Sequence, residues 1–209
     1  MNDDKLSRPD RIARIETELW EAYYNREWLR EFRLLITMHR EFFHMNTPTA
    51  VLASYDAARA AMAFAPLDAN DLPQARGYLL RYYEKVRQAL GCRATADDLA
   101  ERELHYWIVH REVARGRLAE ITTGRAIDDP DDAGIEPVIN AFANLHAGLF
   151  NSTPEAMHES AVYRARAAAI VDRISGRHSP DVAADWARVE TELRLAYRAI
   201  EQATEIVAA

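Results

Sequence analysis

The fold follows from residues 12–45, which read IARIETELWEAYYNREWLREFRLLITMHREFFHM. This segment contains no Gly and no Pro, so nothing in it forbids a long helix. Because so much aromatic surface needs several other helices packed over it, the segment predicts an all-helical protein built around it. It carries seven of the nineteen aromatic residues of the chain: Trp20, Tyr23, Tyr24, Trp28, Phe32, Phe42 and Phe43.

Two apolar stripes with helical spacing run along this segment, and they do not join. Continuing the first stripe reaches Arg26, Arg30 and Arg33. Either the helix breaks near Asn25, whose short side chain suits a helix cap, or it is straight and buried on two faces. We favour the break. The first stripe consists of Ile12, Ile15, Leu19 and Tyr23, and the second of Trp28, Phe32, Leu35, His39 and Phe42.

Proline, glycine and short polar side chains divide the rest of the chain into further helices. The pattern predicts an all-α fold, a compact antiparallel bundle of about seven helices, with residues 1–209 forming one domain. The connection at 116–136 is acidic and rich in helix breakers, and it is the one candidate subdomain boundary. The predicted helix starts are Asp10, Thr47, Asp71, Thr95, the capping box at 152–155 and Ser179–Pro180, and the predicted stops are Gly91 and Gly176.

Composition indicates a soluble, cytoplasmic protein. The net charge of −7 argues against nucleic acid as a partner, since duplex binding needs clustered positive charge. Cys92 is the only cysteine, which excludes an intrachain disulfide and fits a reducing compartment. The first residues have no apolar core of the kind a secretory signal needs, and the longest uncharged run, 137–154, is too short and too polar to span a membrane.

Two Glu-x-x-His pairs raise the hypothesis of a metal site. Ferritin-like di-metal carboxylate proteins hold iron or manganese with such pairs, because this spacing puts both ligands on one helix face. The pairs here are Glu41 with His44 and Glu155 with His158. Their number is unremarkable for this composition, and they lie near helix ends, whereas ferritin-like ligands project from the middle of helices.

Glu103 and His110 are better candidates for chemistry. They lie two helical turns apart, so they share a face, with Trp107 between them. A carboxylate and an imidazole among aromatic residues can be metal ligands, an acid/base pair, or polar groups satisfied by neighbouring helices. His39, inside an apolar stripe, and His146 are interpreted as hydrogen-bonded core residues.

Three functional hypotheses follow. The first is a non-enzymatic protein that associates with itself or with a protein partner, because aromatic surface exceeds what one apolar stripe per helix requires. The second is a metal-dependent oxidase or hydrolase that uses Fe, Mn or Zn. The third is a pocket for a small apolar molecule, lined by Phe64, Tyr82, Tyr106 and Trp107. The residues expected to bind a ligand or partner are Trp20, Tyr24, Trp28, Tyr106 and Trp107, and the candidate metal ligands are Glu103, His110, His39, Glu41 and His44.

Overall fold

The computed structural model describes residues 6–122 and 133–208, and within them the chain forms eight α-helices and no β-strand. The predicted all-helical class is confirmed. None of these helices combines the length and apolar character that a membrane span requires. The helices are α1 (Arg8–Tyr24), α2 (Trp28–Phe43), α3 (Thr47–Phe64), α4 (Leu72–Leu90), α5 (Ala96–Thr122), α6 (Glu136–Leu149), α7 (His158–Ser175) and α8 (Val182–Ala208), and a short 3-10 turn (Ala133–Ile135) precedes α6.

The predicted break near Asn25 is confirmed, and it explains why eight helices form where about seven were expected. The assigned cause is wrong, because no side chain caps the start of α2 at Glu27. Arg26 instead adopts a left-handed backbone conformation, with φ of 60°, and turns the chain out of α1. Non-glycine residues rarely enter this region, and backbone hydrogen bonds close the turn here, with the Glu27 N–H donating to the Ala22 carbonyl at 2.8 Å.

Several predicted helix ends are confirmed. The Asp71 carboxylate accepts a hydrogen bond from the Gln74 N–H at 2.9 Å, and the Thr95 hydroxyl accepts one from the Asp98 N–H at 3.1 Å. Gly91 ends α4 in the left-handed conformation, with φ of 67°, which glycine adopts without steric cost.

Two predicted N-caps are wrong by a short distance. Ser7, not Asp10, caps α1, and Asp10 lies in the first turn. Asn46, not Thr47, caps α3, and its side chain accepts a hydrogen bond from the Thr49 N–H at 3.0 Å. In both places the preceding polar residue has the same capping chemistry, and a proline near the helix start tolerates either register.

The starts of α7 and α8 also differ from prediction. The capping-box segment at 152–155 does not begin α7, because turns continue as far as Met157, which is the N-cap. Asp181, not Ser179, supports the start of α8, with its carboxylate accepting from the Ala184 N–H at 3.0 Å.

The helices close into a ring. Each packs against the next along the chain, and α1 packs against α8, which joins the two ends of the sequence. The predicted subdomain boundary at 116–136 overlaps α5, which continues without a break to Thr122, and residues 123–132 lie outside the described residues. The helices packed in this closed order surround a central cavity.

Candidate functional site

A cavity of about 660 Å³ occupies the centre of the ring, and all eight helices contribute to its wall. Its volume lies within the roughly 300–1,000 Å³ that is typical of ligand sites. Aromatic side chains dominate the wall, since thirteen of the nineteen in the chain lie there. They are Trp20, Tyr23, Tyr24, Phe42, Phe43, Phe64, Tyr82, Tyr83, Tyr106, Trp107, Phe142, Phe150 and Tyr197.

The cavity opens to solvent beside the break between α1 and α2. Tyr24 and Leu67 both line the cavity, yet they are 41% and 63% exposed. Arg111 closes part of the same edge by donating a hydrogen bond from Nη2 to the Phe64 carbonyl at 2.7 Å. Because Leu67 lies in the connection between α3 and α4, the entrance is bounded by two helix connections.

The structure separates the aromatic residues that the sequence proposed for binding a ligand or partner. Trp20, Tyr24, Tyr106 and Trp107 line the cavity, whereas Trp28 is 57% exposed on the outer surface. The four residues expected to line an apolar pocket, Phe64, Tyr82, Tyr106 and Trp107, all lie on the cavity wall.

Glu103 on α5 is one of the carboxyl groups on this wall, and it lies beside aromatic side chains. The Tyr83 hydroxyl donates a hydrogen bond to Glu103 Oε2 at 2.7 Å. Burial raises the pKa of Glu103 above its usual value, and hydrogen bonds from Tyr83 and Trp107 and the charge of Arg164 only partly offset this. The Glu103 carboxylate therefore binds a proton more readily than a carboxylate in water does.

A second polar cluster joins α1, α7 and α8. Arg164 donates from both terminal nitrogens to the Glu16 carboxylate, with 2.9 Å between Nη1 and Oε2. The Tyr197 hydroxyl donates to the same Oε2 at 2.6 Å. The guanidinium also lies 5.4 Å from the centre of the Phe142 ring. Both hydrogen-bonding ends of Arg164 are thus occupied by the protein itself.

His39 is held as a neutral imidazole. Its Nδ1 lies 2.6 Å from the Leu35 carbonyl, which can only accept, so Nδ1 carries the proton and donates. Its Nε2 therefore accepts from the Tyr82 hydroxyl at 3.3 Å. Burial lowers the pKa of His39 to about 4, partly offset by the Leu35 hydrogen bond. The interpretation of His39 as a hydrogen-bonded core residue is confirmed, although it also lines the cavity.

His146 on α6 has one partner and one accessible nitrogen. The Ser160 hydroxyl donates to the Met157 carbonyl at 2.8 Å, so it accepts from His146 Nδ1, 3.1 Å away. Burial lowers the pKa of His146 to about 3, and the charge of Arg164 adds to this effect. The ring is therefore neutral, with an unprotonated Nε2. Among the described residues no partner lies within hydrogen-bonding distance of this nitrogen, and His146 lines the cavity.

His110 lies two turns along α5 from Glu103. Its Nε2 is 3.1 Å from Asp172 Oδ2 on α7, and its ring stacks on Tyr106 with the two centres 5.8 Å apart. Glu103 and His110 both line the cavity, but seven residues of helix separate them by roughly 10 Å along the axis. Glu103 and His110 therefore lie on the same cavity wall but form hydrogen bonds with different residues.

The proposed metal ligands do not form one cluster. His39, Glu103 and His110 line the cavity, whereas Glu41 and His44 lie outside it. Glu41 pairs with Arg11 at 3.6 Å, and His44 Nε2 accepts a hydrogen bond from Arg8 at 2.7 Å. Across residues 6–122 and 133–208, no three His, Cys, Asp or Glu side chains lie close enough to share a metal ion.

Sequence reasoning did not identify the pairing of Glu16 with Arg164, although a signal was present. Glu16 follows Ile12 by four positions and precedes Leu19 by three, so it lies on the apolar face of α1. Arg164 is placed in the same way on α7, between Ala161 and Ala168. Opposite charges on two apolar faces indicate a buried ion pair, but they do not identify which helices meet.

Comparisons with protein-family models, with curated proteins and with solved structures give no match to this chain. Function is therefore inferred from the side chains of the cavity and from their contacts.

Proposed function

We propose that this protein binds a small, largely apolar molecule inside the ring of helices. The observation that carries the proposal is the cavity of about 660 Å³, whose wall holds thirteen aromatic side chains. Protein interiors are close-packed, and voids larger than a water molecule are few. A space of this volume, lined by residues of all eight helices, therefore supports a ligand site.

The polar groups of the wall support the same proposal. Ligand sites combine an apolar lining with a small number of polar groups that orient the bound molecule. Glu103 and His146 have this position, because both line the cavity among aromatic side chains. The opening beside Tyr24 and Leu67 gives a molecule of drug-like size a route to them.

The test is binding of the neutral fluorescent probe N-phenyl-1-naphthylamine, followed by its increase in emission. We expect saturable binding of one probe per chain. Ala61→Phe places an aromatic ring in the cavity, because Ala61 lines it, and should abolish binding. Ala183→Phe is the matched control, since Ala183 is exposed on α8, and should bind as the wild type does. Equal binding by both variants would contradict the proposal.

A second candidate function is association through the outer face of α3. Leu52 and Met62 are 57% and 67% exposed, and Val51 and Tyr55 lie on the same side of this helix. Apolar residues grouped in this way on a surface are typical of a protein interface. Light scattering at micromolar concentration should then show a dimer that Leu52→Glu converts to a monomer. A monomeric wild type would contradict this candidate.

A further inference from the structure

The arginines at the cavity wall are already bound to the protein. Arg164 donates from both ends to Glu16. Arg111 donates to the carbonyls of Phe64 and Ala65. Arg115, the third arginine on the wall, donates to the Leu67 carbonyl at 3.5 Å. An anionic ligand beside Glu103 would therefore meet no arginine that lacks a carboxylate partner, since Arg164 is paired with Glu16, and Arg111 and Arg115 lie about 12 and 18 Å further along α5.

Two carboxyl groups at the cavity wall differ in their partners from these arginines. Within the part of the chain that the structure describes, neither Glu103 nor Glu31 forms an ion pair with a lysine or arginine, and both line the cavity. The direct partners of Glu103 are the neutral donors Tyr83 and Trp107, and the charge of Arg164, which is itself paired with Glu16, acts on Glu103 without an ion pair between them. An unpaired buried carboxylate is unfavourable in apolar surroundings, so a positive charge brought next to it is stabilised.

The accessible nitrogen of His146 points to the same ligand chemistry. His146 is only 5% exposed, and its neutral ring, with Nδ1 donating to Ser160, leaves Nε2 as an acceptor at the cavity wall. A group that satisfies it must donate an N–H or O–H hydrogen bond. A ligand that satisfies both the carboxylates and the unprotonated imidazole is therefore a hydrogen-bond donor that carries positive charge.

The aromatic wall is suited to such a charge. The electron-rich faces of Trp and Tyr attract cations, and desolvated sites strengthen this attraction. Tyr83 and Trp107 direct their O–H and N–H groups at Glu103, and the ring of Tyr106, one turn along the same helix, also lies on the cavity wall. A cation beside Glu103 is therefore also beside aromatic rings.

We propose that the bound molecule is an apolar amine, whose protonated nitrogen lies at Glu103 among these rings and whose hydrocarbon body fills the rest of the cavity. This inference rests on the proposed function, and it adds the chemical class of the ligand. His146 accepts a second hydrogen bond from the same nitrogen or from another donor on the molecule.

The test compares three probes of the same shape by isothermal titration calorimetry near neutral pH: 2-naphthylmethylamine, 2-naphthylmethanol and 2-naphthoic acid. The first is cationic, the second neutral and the third anionic. We expect the wild-type protein to bind the amine about tenfold more tightly than either of the others. Glu103→Gln should remove this preference by lowering the affinity for the amine to about that for the alcohol measured on the same variant. Glu101→Gln is the matched control, because Glu101 lies two residues away on the outer side of α5, where it pairs with Arg76.

The outcomes separate the two proposals. If none of the three probes binds, the proposed function fails together with this inference. If the alcohol or the acid binds most tightly to the wild type, the cavity still binds ligands, and the assignment of an amine is wrong. The comparison of the three probes on the wild-type chain needs no variant, so it tests the assignment of an amine even if Glu103→Gln does not fold.

Discussion

The hydroxyl of Tyr83 donates a hydrogen bond to Oε2 of Glu103 over 2.7 Å, and both side chains lie on the wall of the central cavity. This bond stabilises the ionised carboxylate and so lowers the pKa of Glu103, against the larger opposite effect of burial. Tyr83→Phe should therefore raise the pKa of Glu103 further. A pH titration of the Glu103 side-chain carbonyl by ¹³C NMR measures the change. Tyr55→Phe, on the exposed face of α3, should leave the pKa as it is, and an equal effect of the two variants would contradict the assignment.

The two buried histidines predict that stability falls in mild acid. The pKa values of His39 and His146 are lowered to about 4 and about 3, from 6.5. Above the histidine pKa of the unfolded chain, 6.5, both states carry neutral imidazoles, and the free energy of unfolding is at its full value. As pH falls below 6.5, only the unfolded chain binds protons at these two positions, so the free energy of unfolding decreases. Between about pH 7.5 and about pH 5 each histidine should remove about 2 kcal/mol from the free energy of unfolding.

Urea unfolding of two variants at these pH values checks the assignment. His146→Gln should lose about 2 kcal/mol less than the wild type between the two pH values, because its side chain does not titrate. His158→Gln, at an exposed position, should show the same loss as the wild type. An unchanged pH dependence in His146→Gln would show that this imidazole is not neutral in the folded protein.

The buried ion pair between Glu16 and Arg164 should contribute strongly to stability. Glu16→Gln leaves the buried Arg164 charge without its counter-charge, and the expected cost is about 3–5 kcal/mol in urea unfolding. Glu18→Gln removes an exposed partner of Arg30 and should cost less than about 1 kcal/mol. Similar losses in the two variants would rule out a special role for the buried pair.

Arg26 stands in a left-handed conformation, so Arg26→Gly should stabilise the protein by about 0.5–1 kcal/mol. The same substitution at Arg33, an exposed residue inside α2, should destabilise it by about 1 kcal/mol, because glycine is a poor helix former. Thermal unfolding measures both changes. Two shifts of the same sign would contradict the description of the turn between α1 and α2.

Local chemistry predicted most of the helices but not how they meet. The break near Asn25 could be predicted because three arginines stand where the apolar stripe should continue. The left-handed Arg26 could not, since no residue pattern favours arginine in that conformation. The packing of α1 against α8 joins residues more than 180 positions apart, as in the bond from Tyr197 to Glu16, and leaves no local pattern in the sequence.

The aromatic part of the candidate site was predictable from the sequence, as were Glu103 and His110, whereas the role of His146 was not. Phe64, Tyr82, Tyr106 and Trp107 were identified as the lining of an apolar pocket, and Tyr82, Tyr106 and Trp107 lie on apolar faces of the predicted helices. His146 was interpreted as a core residue, and its accessible nitrogen becomes evident only when Ser160 and Met157 are placed beside it. Hydrogen-bond direction depends on contacts between helices, and a single helix pattern does not contain that information.

The most direct test is to locate a bound probe by nuclear Overhauser contacts from the naphthyl protons of 2-naphthylmethylamine to methyl groups of the protein. We predict contacts to the methyl groups of Leu79 and Leu145, which are buried and line the cavity. Contacts confined to Leu52 and Met62, on the exposed face of α3, would contradict binding inside the ring.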